Sequence, residues 1–170
     1  MRELEMQFSQ RDYFALPEGF PAQLVGGMLV KSPSPTPAHQ AILMRIVAQA
    51  LPLAARDCLL VAPMDVVLGE SDVLQPDLIV LRRPLVRGQT RVGVPLLALE
   101  VLSPSTASLD RDQKAPRLLD AGVAEVWLVD PSRGTIERLD ATGTELASGA
   151  TPIASHALPG LLLVPADLFD

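Results

Sequence analysis

Apolar and polar positions come in short runs along this chain, broken by proline and glycine too often for long helices. Ser9 with Asp12 reads as the capped start of a short helix reaching Leu16. A serine oxygen there accepts a free N–H of the first turn, and an acid meets the positive end of the helix dipole. Pro17 to Pro21 end it. Gln23-Leu24-Val25 and Met28-Leu29-Val30 flank Gly26-Gly27, a hairpin pattern. The run 32–37, alternating Ser or Thr with Pro, is a stiff linker. Thr36 can cap the next helix with Pro37 at its first position, where the missing N–H costs nothing. Ile42, Ile46, Val47 and Ala50 then recur on one face and predict a helix to about Leu51.

Further on, Leu59–Leu68 reads as a strand, Gly69–Gln75 as a polar turn, and Asp77–Leu81 as a second strand. Arg82–Val92 is a basic loop and Val94–Leu102 a third strand. A helix is expected within Ser105–Ala121, with Gly122 as its stop. Ala124–Val129 is a fourth strand, ended by Asp130-Pro131, and Gly134 starts another hairpin strand, Thr135–Leu139. Leu158–Phe169 gives a short strand and a closing turn. The order predicts an α/β (α+β) fold: a mixed central sheet flanked by helices, with additional N-terminal and C-terminal hairpin strands. A helix between the strands of Glu100 and Val126 permits a parallel crossover. One domain over residues 1–170 is expected.

Composition adjusts this picture in three places. Aromatic residues make up only 4%, so Val, Leu and Ala must fill the core. The net charge of −6 excludes a general basic nucleic-acid coat. Yet residues 82–117 hold seven basic residues against three acids, Glu100, Asp110 and Asp112. Arg82, Arg83 and Arg111 in this segment are candidates for a positive rim beside a phosphate-handling site; a solvated basic loop is the plainer alternative. The single Cys58 excludes an intrachain disulfide. The start, MRELEMQFSQ, is too polar for a signal peptide, and no apolar run has the length of a membrane span, so cytoplasm is the expected compartment.

The candidate chemistry lies in two acids that their surroundings disfavour. Asp77 opens one apolar run and Glu100 sits inside another, 23 positions on. Burying an unpaired carboxylate is costly, so such exceptions call for a partner. If the two strands pair antiparallel, both acids reach one sheet edge. A hard cation such as Mg²⁺ takes carboxylate and carbonyl oxygens; Asp77, Glu100 and the backbone carbonyl of Val101 would supply them. Lys114 could then orient a water or stabilise a developing oxyanion. A structural reading, in which one acid belongs to a turn and the other pairs with arginine, stays open on spacing alone.

Longer stretches carry a resemblance. They are Ser32–Pro35 followed by His39-Gln40, then Ala62–Val66, then Gln75-Pro76-Asp77. Glu100-Val101-Leu102-Ser103-Pro104-Ser105-Thr106, Asp110–Lys114 and Ala121–Pro131 complete the set. Over nearly its whole length the chain resembles the Uma2 family of restriction-endonuclease-like proteins, which implies the PD-(D/E)xK nuclease fold. The resemblance implies that Asp77 and Glu100 are the motif acids. Leu102 stands where the motif lysine usually stands, and Lys114 matches a lysine that has migrated to the following helix. It further implies Mg²⁺ or Mn²⁺ as cofactor, DNA as substrate and a homodimer as assembly. His39 matches a family histidine that either touches substrate or caps a turn. Two departures stand out. The family's early-hairpin acids, in a pattern like Glu-Leu-Ile-Asp-Gly-Glu, are replaced by Gln23, Gly26 and Met28, and Pro116 interrupts the segment carrying Lys114.

Overall fold

The computed structural model describes residues 7–54, 57–84 and 86–169. The first six residues, read above for a leader, lie outside them. At the N-terminus, α1 (Gln10–Phe14) has Ser9 and Asp12 capping one another reciprocally. The hairpin of β1 (Ala22–Val25) and β2 (Met28–Lys31) turns at Gly26-Gly27, both at positive φ. Next, α2 (Pro37–Ala50) starts at Thr36, whose hydroxyl accepts the His39 N–H.

Six strands form the central sheet. They are β3 (Cys58–Val61), β6 (Leu78–Arg82), β8 (Leu97–Val101), β9 (Glu125–Asp130), β10 (Thr135–Asp140) and β11 (Gly143–Ser148), in the spatial order β11-β10-β9-β8-β6-β3. Among the described residues of this sheet, β8 and β9 are the one parallel pair. The chain between them carries α3 (Ala115–Asp120), which supplies the expected crossover. β6 and β8 pair antiparallel, with Leu78 opposite Leu99.

Both faces of this sheet are covered, which is why β8 and β9 are apolar on both sides. Leu78, Val80, Leu97, Leu99, Val101 and Trp127 pack with Ile42, Leu43 and Ile46 of α2. Ile79, Ala98, Val126 and Leu128 pack with Ala115 and Leu118 of α3 on the other face. A buried leucine or isoleucine contributes roughly 1.5–3 kcal/mol, so these two layers fix the sheet that carries the acids.

A second sheet, in the order β2-β1-β5-β4-β7, uses β4 (Asp65–Gly69), β5 (Asp72–Leu74) and β7 (Arg91–Val92). The tail adds the pair β12 (Ile153–Ala154) and β13 (Leu162–Leu163), then α4 (Pro165–Leu168).

Three expectations are corrected. Leu59–Leu68 is not one strand: it breaks around Pro63, and β3 and β4 belong to different sheets. The turn expected at Gly69–Gln75 contains β5, the middle strand of the second sheet. Finally, β11 was not foreseen; it lies at the sheet edge with most of its residues exposed, so no apolar alternation marks it.

Candidate active site

The antiparallel register of β6 and β8 continues one step past Leu78 and Leu99, setting Asp77 beside Glu100. The Asp77 N–H donates to Glu100 Oε2 at 3.3 Å, and the Val101 N–H donates to Asp77 Oδ2 at 2.8 Å. The two acids thus clasp the ends of both strands. His39, in the first turn of α2, lies with Nε2 3.0 Å from the same Asp77 Oδ2. Its Nδ1 is buried without a hydrogen-bond partner. The Asp77 carboxylate, more than desolvation opposes, raises the His39 pKa.

Lys114 reaches this group through an unusual turn. Residues Leu109–Lys114 form a π-helix, in which the Ala115 N–H bonds back to the Asp110 carbonyl, five residues earlier. Pro116 accounts for it. In an α-helix its ring would strike the carbonyl four residues back, that of Asp112, and its missing N–H would leave that carbonyl unpaired. Pro116, which interrupts the segment carrying Lys114, thus coincides with a local change of helix type. Lys114 Nζ lies 2.5 Å from Glu100 Oε1 and 3.0 Å from Asp110 Oδ1. All three side chains are buried.

Charge is unbalanced here. Asp77, Glu100 and Asp110 face one lysine and one histidine. Burial pushes Glu100 up to about 8, although Lys114 pulls it down. Burial would lower Lys114, but Glu100 and Asp110 outweigh it and keep the amine charged.

These groups line one cleft of about 430 Å³. Two serine–proline segments, 32–36 and 103–106, contribute to its walls. Behind Asp77, Asp65 Oδ1 accepts the Tyr13 hydroxyl at 3.0 Å and the Gln75 amide at 2.7 Å. Asp65 thus holds the residues that lead into Asp77.

Of the three replaced hairpin acids only Gln23 lines the cleft. Its side-chain oxygen accepts the Gln75 N–H at 2.7 Å, fixing backbone rather than offering charge. Gly26 lies against the Arg117 guanidinium, which pairs with Asp72 at 2.9 Å. Met28 is exposed on the hairpin.

The positive rim is not formed by the arginines chosen for it. Arg82 ends β6, about 16 Å of strand away from Asp77 by the usual rise. It lines a different pocket, with Pro84 and Gly122. Arg83 Nε donates to the Cys58 carbonyl at the same end. Arg111 is held by Glu137 at 2.6 Å and Asp130 at 3.8 Å. None of the three lines the cleft. For Arg82 and Arg83 the physical reason is the extended strand, which carries residues close in sequence to Asp77 away from it; for Arg111 it is the pairing with Glu137 and Asp130. Asp110 is the cleft residue that sequence reasoning did not assign; its signal was its spacing of four from Lys114.

A divalent cation fits the cleft's donor set. Carboxylate oxygens are hard ligands, and the acids outnumber the cations around them. Val101, expected as a carbonyl ligand, lines the cleft, and its backbone also faces the His39 ring. A separate carboxylate–histidine group exists at Glu125, Asp140 and His156, with one ligand atom of each within 4.8 Å of the others. Glu125 Oε2 there already accepts Trp127 Nε1 and Ser155 Oγ. Its Oε1 accepts the His156 and Ala157 N–H groups. Arg138 lies 3.3 Å from Asp140. A guanidinium and a fully bonded carboxylate leave a cation little to bind.

The comparisons now add to the geometry. A solved structure of a putative nuclease of the DUF820 family from Anabaena variabilis is similar at TM-score 0.85 and 20% identity, covering 95% of this chain and 97% of that one. This places the chain in the restriction-endonuclease-like fold class. The chain belongs to the Uma2 family, described as putative restriction endonuclease, whose sequence model matches residues 10–165. Among curated proteins nothing matches. Family and fold together support a nuclease, and the family suggests a divalent metal and a DNA substrate. Among the described residues no helix is long and apolar enough to cross a membrane.

Proposed function

We propose that this protein is a Mg²⁺- or Mn²⁺-dependent endonuclease that hydrolyses DNA phosphodiester bonds. The observation that carries the reading is the meeting of Asp77 and Glu100 at adjoining strand ends, with the Lys114 ammonium 2.5 Å from Glu100 Oε1. Asp77, Glu100 and the Val101 carbonyl would hold the cation. When bound, it would supply an activated water and offset charge growing on the phosphate. Lys114 orients that water and keeps positive charge beside the developing oxyanion. His39 braces Asp77 through Nε2, and its place in the cleft lining puts it beside the substrate.

Incubation of plasmid with the protein and Mn²⁺ is the test. Asp77→Asn and Glu100→Gln each lower cleavage by about 10²–10³-fold on this reading. Undiminished cleavage by both variants refutes it. A second reading, a non-catalytic binding or assembly module, is favoured by one observation: Lys114 closes onto Glu100 with both side chains only 2–3% exposed. Calorimetry separates the two, because that module binds no Mn²⁺ at millimolar concentration. Cutting both strands of a duplex calls for two sites, so we also propose a homodimer. Light scattering at micromolar concentration then reads twice the chain mass of 18.2 kDa, and a single-chain mass rejects it.

A further inference from the structure

We propose that Asp110 is a positioning residue that aims the Lys114 ammonium at Glu100 from the opposite side. The inference rests on the nuclease reading for its consequence in catalysis, and on geometry alone for the placement. A lysine side chain has a flexible four-carbon stem and loses rotamer entropy when fixed, so one partner at its tip leaves its direction poorly defined. Here Nζ has two partners on different segments. Glu100 Oε1 approaches from the end of β8 at 2.5 Å, and Asp110 Oδ1 from the preceding turn at 3.0 Å. Lys114 and Asp110 have side chains 2% and 6% exposed, so water does not substitute for either contact.

The π-helical turn makes this arrangement specific. Its carbonyl-to-amide closure runs from Asp110 to Ala115, so the residue that closes the turn also supplies the side chain that holds Lys114. Single turns of π-helix recur at functional sites. Lys114 stands 14 positions after Glu100, on a different element, and must be brought back to the strand end. Asp110 Oδ1 is its second anchor in doing so. The Asp110 carboxylate also lines the cleft, which separates it from a contact that only stabilises the core.

A double-variant cycle tests this. Asp110→Asn lowers kcat about tenfold while KM and the Mn²⁺ dissociation constant stay within about threefold, because the cation keeps Asp77 and Glu100. Asp110→Glu recovers part of the loss. In a Lys114→Met background, adding Asp110→Asn changes kcat no further, since the group it positions is gone. Additive losses overturn the proposal, as does a Mn²⁺ constant that weakens in step with kcat, which makes Asp110 a ligand. A crystal structure of Asp110→Asn decides the placement whatever the activity. The expected result is Lys114 Nζ beyond about 3.5 Å from Glu100 Oε1; an ammonium still in hydrogen-bond contact refutes the idea. Plasmid cleavage that survives Asp77→Asn refutes the nuclease reading instead, and leaves the structural test standing.

Discussion

Two buried glutamates stand on neighbouring parallel strands and behave oppositely. Glu125 opens β9, and Glu100 lies near the end of β8. Both are about 1–2% exposed. Glu125 receives hydrogen bonds from four donors, two on each oxygen. It ties the 155–157 segment to the sheet. Glu100 has a lysine on one oxygen and a single long bond on the other, with two further acids nearby. A buried carboxylate whose bonds are complete is architecture. One left short of donors, and pushed up by burial, has room for a further cation. Counting acids near one another does not make this distinction; following the acceptor of each oxygen does.

The sharpest way to break the comparison is to remove the satisfied acid. Glu125→Ala leaves four donors without a partner, an expected loss of about 4 kcal/mol in unfolding free energy. Urea titration reads it, and Mn²⁺ affinity of the folded fraction is unchanged. A small stability loss with weakened metal binding inverts the roles of the two glutamates.

A smaller effect sharpens the contrast through pH. Glu100 titrates near 8 in the folded chain against an ordinary value of 4.5. The folded state therefore holds this proton more tightly than the unfolded one. Its contribution to stability is full below the ordinary value and is lost as pH rises through about 8. The metal-free protein loses stability from this group between those limits, and Glu100→Gln removes that loss. A proton competes with a cation for the same carboxylate, so Mn²⁺ affinity rises by up to about tenfold per pH unit below 8 and flattens above it. Calorimetry across pH 6 to 9 checks the slope. A flat profile contradicts it.

The smallest effect concerns the basic segment. Arg82→Ala, at the far end of β6, leaves plasmid cleavage within about twofold, the scale of a surface change away from the chemistry. A large loss means that DNA wraps past that strand end.

Local signals were legible in the sequence wherever one residue type has one physical role. Thr36-Pro37 starts α2 and Ser9 with Asp12 starts α1, because capping needs only residues close in the chain. The apolar runs of β6, β8 and β9 were equally plain, since both faces of each are buried. What escaped depended on distant partners. Pro63 divides one apolar stretch between two sheets, a decision made by packing. β5 is three residues long within a polar stretch and becomes a strand because Val73 meets Leu24 of β1. The acids Asp77 and Glu100 stood out as polar exceptions with Lys114 as the amine that follows them, and the family resemblance then matched Lys114 to a migrated motif lysine. Asp110 did not stand out, because an acid in a helical segment is ordinary until its burial is known. The arginines misled because their charge was visible in the sequence and their direction was not.

The contact at Gly26 has an engineering consequence. Its φ of 57° suits glycine, and a Cβ there meets the Arg117 guanidinium that also grips Asp72. Arg117 belongs to α3, just past Lys114, so this guanidinium is a tie rod between the hairpin and the helix that follows Lys114. Tags, loops or labels grafted at that turn would unseat the rod. The turn at Gly143, with open space around it, is the place to attach them.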